Sequence, residues 1–334
     1  MSAVGSAGAS GAAGASGASG AAGASGAAGA GGAAGWAVAA GAPQLEVGYR
    51  LCAEITRRHG TTYYWGARLL PAERRRHVHA VYALCRLADD IVDAPGATEP
   101  DRVVATGSAL GRFAAAFARA VQGEPAVSPV LAAAAASARA CDIPAECFDR
   151  FFGAMAQDLT TTAYDSWDDL LAYMDGSAAV IGEMMLPVLR PTDPRALAPA
   201  RALGLAFQLT NFLRDVGEDL DRGRVYIPQE DPRRFGADPA QRQATPPWRE
   251  LMRFEVARNR ELYREADAGI PMLPPASARC VGTARELYAR ILDRIEANCY
   301  DVFTTRARVP LWRKAAVSTR ILALGPPARK AGIA

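Results

Sequence analysis

The sequence predicts an all-α protein. Three observations carry that reading. Beyond residue 40 the chain is dominated by Ala, Leu, Arg and Glu, which are good helix formers. Apolar residues recur at three- and four-residue spacing, and no run alternates apolar with polar residues as a half-buried strand would. Pro and Gly clusters at Pro95-Gly96, Gly123 to Pro129, Pro191 to Pro199, Pro228 to Pro247 and Pro271 to Pro275 cut the chain into segments of helical length. Within one segment Val78, Tyr82, Cys85, Ala88 and Val92 form a single apolar stripe. Ordinary helix lengths give roughly eight to ten helices. They fall in one domain over 45–322, with a flexible C-terminus at 323–334 and the longest loop at 228–247.

The first forty of the 334 residues are set aside. They hold 18 Ala, 12 Gly and 6 Ser. Such a segment cannot bury enough apolar surface to offset its chain entropy, so 1–40 is predicted to be disordered. It has neither a charged n-region nor an apolar h-region, so it is not a signal peptide.

Net charge is +3, and the uncharged tail leaves all of it to the domain. There is no dense basic stripe, which argues against a nucleic-acid partner. Of 38 basic residues only Lys314 and Lys330 are lysine, as a GC-rich codon bias would produce. No run of 18 apolar residues occurs, so no membrane span is predicted. Six cysteines without a C-x-x-C pair, and only three histidines (His59, His77, His79), disfavour zinc. Scattered thiols suit a reduced cytoplasm. Nucleotide-binding glycine motifs are absent: Gly29-x-Gly31 has Ala34 where a third glycine is needed, and no strand precedes it.

Chemistry is concentrated in two acidic clusters, Asp89-Asp90-Ile91-Val92-Asp93 and Asp215-Val216-Gly217-Glu218-Asp219-Leu220-Asp221. Each holds an Asp-x-x-x-Asp pair, which one helical turn places on one face. Like charges at that spacing destabilise a helix. Negative charge near a helix C-terminus, which Pro95 and Gly223 mark here, opposes the macrodipole. A solvated acidic helix end is the ordinary reading of one such cluster. Two of them, with the same spacing and both embedded in apolar helices, break local rules twice, and such breaks mark function. Oxygen ligands of this kind suit Mg²⁺ or Mn²⁺ shared with substrate phosphates. Two facing pairs could hold a diphosphate through bridging ions and so assist C–O ionisation. Arg86, Arg214, Arg222 and Arg224 sit beside the acids, and Arg forks match phosphate geometry.

These stretches resemble the squalene and phytoene synthase family of head-to-head prenyl-diphosphate transferases. The resemblance runs through the stretches His59–Tyr64, Arg68–Pro71, Tyr82–Asp93, Tyr173–Gly182, Gln208–Asp219 and Gly223–Pro228, spans roughly 45 to 315, and is most like the bacterial phytoene-forming branch. The order of the boxes, together with the run Gln-Leu-Thr-Asn-Phe-Leu-Arg-Asp, is highly specific. The resemblance implies an isoprenoid-synthase-type helical bundle with a central cavity. It also implies condensation of two geranylgeranyl diphosphates to phytoene, in carotenoid biosynthesis, through a cyclopropyl diphosphate. By the same resemblance Asp89, Asp93, Asp215 and Asp219 bind Mg²⁺ and diphosphate. Arg86, Gln208, Asn211 and Arg214 hold the diphosphates or, for Asn211, a metal ion. His59, Thr62 and Tyr63 line the diphosphate end, and Arg224 lies beside it. Tyr173, Tyr226 and Tyr300 sit near the cationic centres, and Gly176 to Gly182, with Ser177 and Ala178, is a kinked small-residue helix against the prenyl chain. The family often has Arg before Tyr164, where this chain has Ala163, which removes a peripheral phosphate contact.

The chemistry agrees with that pattern. An allylic carbocation is quenched by water, so its cavity must be dry and walled by π faces or hydroxyls. Tyr64, Trp65, Tyr82, Phe207 and Phe212 could supply those walls. Small residues Gly66, Ala67, Ser177, Ala178 and Ala179, if they line a tunnel, favour a C20 over a C15 chain. No NADPH is expected for the phytoene-forming reaction. Lipid substrate and product suggest a cytoplasmic enzyme with peripheral membrane association. The alternatives are a squalene or hydroxysqualene synthase acting on farnesyl diphosphate and a non-catalytic assembly factor that kept the fold. The second should have lost acidic ligands, and all four aspartates are present. Oligomeric state is not legible.

Overall fold

The computed structural model describes residues 42–326. The tail expected at 1–40 and most of the C-terminal segment expected at 323–334 lie outside them. Described residues form thirteen α-helices, more than the eight to ten expected. The surplus comes from short pieces. Gly60 separates α1 (Ala42–His59) from α2 (Thr61–Ala67), and Pro71 precedes α3 (Ala72–Val92). Three helices follow: α4 (Val103–Val121), α5 (Pro129–Ala140) and α6 (Ala145–Gln157). A five-residue π-helical turn, Asp175–Ala179, then joins α7 (Trp167–Met174) to α8 (Val180–Leu189). The long α9 (Leu197–Asp221) is next. The expected loop at 228–247 contains α10 (Glu230–Phe235) and a 3₁₀ turn. The last helices are α11 (Pro246–Asp267), α12 (Pro275–Ala297) and α13 (Leu311–Leu324), whose final turn runs past the boundary expected at 322. The only β pairing among the described residues is a single bridge, Ala163 with Val225.

Helix starts follow local chemistry. Ser128 caps α5 and Thr245 caps α11, each followed by Pro at the first turn, where its missing N–H costs nothing. Ser166 and Asp169 form a reciprocal capping box on α7. The apolar faces meet in two main clusters. One joins α3, α4, α5, α6 and α8 around Leu84, Phe117, Phe151 and Met184. The other joins α7, α9, α11 and α12 around Leu209, Leu213, Trp248 and Tyr263. The stripe read from Val78 to Val92 faces this interior: Val78, Ala88 and Val92 are buried, and Tyr82 and Cys85 border a cavity. No described helix is long and apolar enough to cross a membrane. All six cysteines are free.

One buried charge cluster lies outside that cavity. Glu255 and Asp231 are both almost fully buried, and the same Arg258 nitrogen bonds both, at 2.9 and 2.8 Å. Burial pushes the Glu255 carboxyl up to about 8 against the pull of Arg258, with Asp231 adding to the rise. The folded protein therefore holds a proton that the unfolded chain releases near pH 4.5. Stability should fall as pH rises from about 5 to about 8, by several kcal/mol at roughly 1.4 kcal/mol per pH unit. Glu255→Gln should flatten that dependence in thermal melts across this window. An unchanged slope would refute the assignment.

Candidate active site

A cavity of about 1340 Å³ is lined by members of both core clusters. This exceeds the roughly 300–1,000 Å³ of an ordinary small-ligand pocket. Its two ends differ in chemistry. One holds the acidic clusters with Arg58, His59, Arg86, Arg214, Arg222, Arg224, Arg306, Arg308 and Lys314; elsewhere the walls include Phe151, Met155, Ile181, Met185, Leu189 and Leu273.

The acidic clusters occupy corresponding places on two helices. Asp89 lies in the last turn of α3 and Asp93 is its C-terminal cap. Asp215 and Asp219 lie in the last two turns of α9. The helix ends converge: Arg224, just beyond α9, donates to Asp93 at 2.7 Å, and Arg222 reaches the same carboxylate at 3.5 Å. Arg224 also reaches the carbonyls of Val92 and Asp158. Asp215 is gripped twice. The Arg214 guanidinium forks onto it at 2.7 and 2.5 Å, and that of Arg306 at 2.9 Å through two nitrogens. Arg306 also pairs with Glu218 at 3.1 Å. Arg86 donates to Asp90 at 2.5 Å and, more loosely, to Asp89 at 3.4 Å.

Even among these cations two carboxylates are left in like-charge pairs with their neighbours. Burial pushes Asp89 up to about 7, with Asp93 adding to the rise and Arg86 opposing it. Burial and the neighbouring Asp215 push Asp219 to about 7 against Arg222 and Arg224. The surface that Asp89 does expose opens onto the cavity it lines. An added cation would relieve this repulsion.

The donor set fits Mg²⁺. Among the described residues no three acidic, His or Cys side chains close around one point. The fit lies in the ligand type, since carboxylate and amide oxygens, one or two carboxylates at a time, are what Mg²⁺ takes. Asn211, Asp215 and Asp219 follow one another at i, i+4 and i+8 on the cavity side of α9. The Asn211 Oδ1 is buried with no hydrogen-bond partner. A buried acceptor left unpaired is costly unless something absent here completes it.

The apolar side is walled by aromatic rings. Phe207 stacks on Tyr288 at 4.3 Å, and Tyr63 packs against Tyr82, Phe207 and Tyr288. Phe212 lies face to face with Tyr226 at 3.9 Å, and Tyr173 stacks beside Tyr226 at 6.1 Å. The π-helical turn presents Ser177 and Ala178 to this space. Arg150 bonds Asp175 at 2.6 Å and Glu183 at 3.0 Å, and Arg201 bonds the same two carboxylates, so four charges clamp the turn from outside. The kink expected for Gly176 to Gly182 is this turn, and π-bulges frequently occur at functional sites.

The structure brings most of the sequence-predicted residues together. His59, Thr62, Tyr63, Arg86, Asp89, Asp93, Tyr173, Ser177, Ala178, Gln208, Asn211, Arg214, Asp215, Asp219, Arg224 and Tyr226 all line the cavity. Tyr300 does not, and its expected place near the cationic centres is corrected. The chain reverses at Cys299 and Tyr300 with φ of 52° and 61°. The Tyr300 carbonyl accepts from the Trp248 indole at 2.9 Å, and Arg253 lies over its ring. It closes the end of α12 instead. Of the expected aromatic walls, Tyr64 stacks on His79 and Trp65 carries Arg68, and neither borders the cavity. Of the small residues Gly66 packs against the Cys280 carbonyl, and Ala67 and Ala179 are core. Ala163 is exposed and pairs with Val225.

Sequence reasoning missed Asp158, Tyr288, Arg306 and Lys314, all of which border the cavity. Their partners lie far along the chain, and no local spacing marks them. Lys314 carried one faint signal, as one of two lysines in an arginine-rich chain.

Comparison with known proteins gives this arrangement a context. The family model described as squalene/phytoene synthase matches residues 56–313. A phytoene synthase of Arthrospira platensis is 36% identical over 80% of this chain and 89% of its own length. A 15-cis-phytoene synthase of Synechococcus elongatus is 34% identical over 81% of this chain and 91% of its own. Among solved structures, a dehydrosqualene synthase superposes with a TM-score of 0.76 at 25% identity, over 84% of this chain and 97% of its own. A squalene synthase of Alicyclobacillus acidocaldarius gives 0.69 at 30% identity, over 78% of this chain and 98% of its own. With two acidic helix ends meeting at one large cavity and a family model covering most of the domain, the chain belongs to the squalene/phytoene synthase family.

Proposed function

We propose that the protein is a phytoene synthase, an Mg²⁺-dependent prenyltransferase that joins two geranylgeranyl diphosphates head to head through a cyclopropyl diphosphate. The observation that carries this reading is a large cavity with paired acidic helix ends at one side and aromatic and aliphatic walls beyond. It supports binding of diphosphates at one end and of long chains within. The cyanobacterial relatives named as phytoene synthases support the choice within the family.

In this reading Asp89, Asp93, Asp215, Asp219 and Asn211 hold the metal ions. When bound, Mg²⁺ neutralises the diphosphate leaving group and lowers the cost of breaking the C–O bond. Mn²⁺ has the same ligand preferences. Arg86, Arg214, Arg224, Arg306 and Lys314 surround the same space and bind non-bridging phosphate oxygens. Gln208, Thr62 and His59 orient them. Tyr63, Tyr82, Phe207, Phe212 and Tyr288 exclude water and turn π faces toward developing positive charge. Burial raises the phenols of Tyr63 and Tyr173 well above their usual range, so both stay neutral. A phenolate would capture the carbocation.

A second reading, a squalene-type synthase, is favoured by the structural likeness to squalene and dehydrosqualene synthases. Diphosphate release separates the two. The phytoene reading expects release from geranylgeranyl diphosphate with Mg²⁺ alone, unchanged by NADPH and abolished by EDTA. Turnover that requires NADPH would overturn it.

A further inference from the structure

We propose that Arg150, Asp175, Glu183 and Arg201 form a register lock: by holding the π-helical turn they decide which face of α8 lines the cavity, and so set the prenyl chain length that the enzyme prefers. The register half of this inference stands on geometry, and the chain-length half rests on the prenyl-condensing function proposed above. The ring of ion pairs is closed. The Arg150 guanidinium, from α6, bonds Asp175 at 2.6 Å through one nitrogen and Glu183 at 3.0 Å through the other. Arg201, from α9, pairs with the same two carboxylates through its own two nitrogens. Against a burial that would raise it, hydrogen bonds from Arg150 and Arg201 hold the Asp175 carboxyl below its usual range. A Cβ on Gly176 would meet the Arg150 carbonyl, so α6 lies directly against the turn.

Asp175 opens the turn, and Glu183 lies eight residues on, in α8. In an unbroken α-helix eight residues leave two side chains about 80° apart around the axis. A π turn takes up one residue more than the α turn it replaces, which brings the pair to within about 20°. In this register both carboxylates face the same two arginines.

The extra residue also sorts α8 into two faces. Val180, Met184 and Val188 are buried in the core cluster, while Ile181, Met185 and Leu189 line the cavity. The lining three lie at i, i+4 and i+8 and so run along about 12 Å of the wall. With α7 held in place, loss of the extra residue turns α8 by about 100°. Val180, Met184 and Val188 then take the places of Ile181, Met185 and Leu189, and two of the three are smaller than the residue they displace. A wider wall grips a chain less closely, so discrimination between C20 and C15 chains falls. Glu183 would at the same time enter the place that Met184 holds in the core. A carboxylate buried there without a partner is costly. The π register is thus selected twice, by pairing outside the helix and by exclusion from the core.

The test uses the full chain and the variant Asp175→Leu/Glu183→Leu, which removes the ring and makes the α register compatible with the core. Register is read first, without substrate. Ile181→Cys and Val180→Cys are introduced singly into both backgrounds and labelled with methyl methanethiosulfonate, and the modified peptides are mapped by mass. In the parent background the thiol at 181 should react at least about tenfold faster than the thiol at 180, and in the Leu background the order should reverse. Faster reaction at 181 in both backgrounds would overturn the lock. Selectivity is read next, with Mg²⁺ and equal amounts of geranylgeranyl and farnesyl diphosphate. The ratio of C40 to C30 product should fall at least about tenfold in the Leu variant. KM for geranylgeranyl diphosphate should rise by a similar factor while kcat stays within about threefold. Glu183→Gln, still polar and still a partner for Arg150, should keep the parent labelling order and hold the ratio within about threefold. Arg260→Gln, which breaks exposed pairs with Asp293 and Glu296, should leave the ratio unchanged. A lower kcat at unchanged ratio and KM would show a merely structural role and refute the proposal. If the Leu variant does not fold, Glu183→Leu alone decides both readings. A parent that makes no hydrocarbon refutes the function instead, and the labelling order still decides the register.

Discussion

Asp89→Asn and Asp215→Asn are each expected to lower turnover by about three orders of magnitude, the scale of several kcal/mol of leaving-group stabilisation, yet to move stability in opposite directions. Asp89 is held up at about 7 by burial and by Asp93, and its one cationic contact is the loose 3.4 Å approach of Arg86, which bonds Asp90 more closely. Removing its charge relieves a like-charge pair and a carboxylate opposed to the helix dipole. That should stabilise the ligand-free protein by about 0.5–1 kcal/mol. Asp215 is the reverse case. It receives forks from both Arg214 and Arg306. Asn at 215 leaves two half-buried guanidinium groups under-paired and should cost about 2 kcal/mol or more. Melting curves and initial rates on the two variants check this. Two variants that both retain activity would remove the acidic helix ends from the chemistry. Equal stability shifts would show that the Arg forks do not hold Asp215 as described.

Gly204→Ala is expected to destabilise the fold by about 3 kcal/mol, at the upper end of overpacking effects, and to depress activity in the molecules that remain folded. Gly204 lies where α9 crosses the π-helical turn, and a Cβ there would overlap the backbone carbonyl of Ala178. Backbone cannot rotate aside as a side chain can, so the turn must shift. That turn presents Ser177 and Ala178 to the cavity. Gly182 repeats the constraint one turn into α8, against the carbonyl of Ala200. A drop in Tm of several degrees is the expected readout, and an unchanged Tm would mean that α9 does not approach the turn so closely.

The contrast between these residues explains how much of the site was legible in the chain. The aspartate pairs announce themselves because one helical turn converts a four-residue spacing into a shared face, and because four like charges there violate helix electrostatics. The kink at Gly176 to Gly182 was expected from the resemblance alone; its π-helical form was not, because the charges that clamp it come from α6 and α9. Asp158 gave no signal. A single carboxylate at a helix end is common, and its partners lie 15 and 68 residues away. Arg306 is 91 residues from Asp215, a separation that no periodicity encodes. Tyr300 failed for the complementary reason. It was placed by resemblance, while the backbone reversal at Cys299 and Tyr300 directs it to Arg253 and Trp248. Helix number was undercounted because short pieces such as α2 and α10, of 7 and 6 residues, carry too few turns to show a period.

The central claim is that two C20 diphosphates are condensed in the cavity at the acidic helix ends. The most direct measurement is the carbon number of the hydrocarbon formed when the purified protein, with Mg²⁺ and no NADPH, is offered geranylgeranyl and farnesyl diphosphate in parallel. A C40 hydrocarbon with a central conjugated triene from the first, in clear excess over any product from the second, is the predicted result. A C30 product from farnesyl diphosphate alone would keep the fold and the acidic site but contradict the C20 reading of the cavity. No hydrocarbon from either would contradict the account itself.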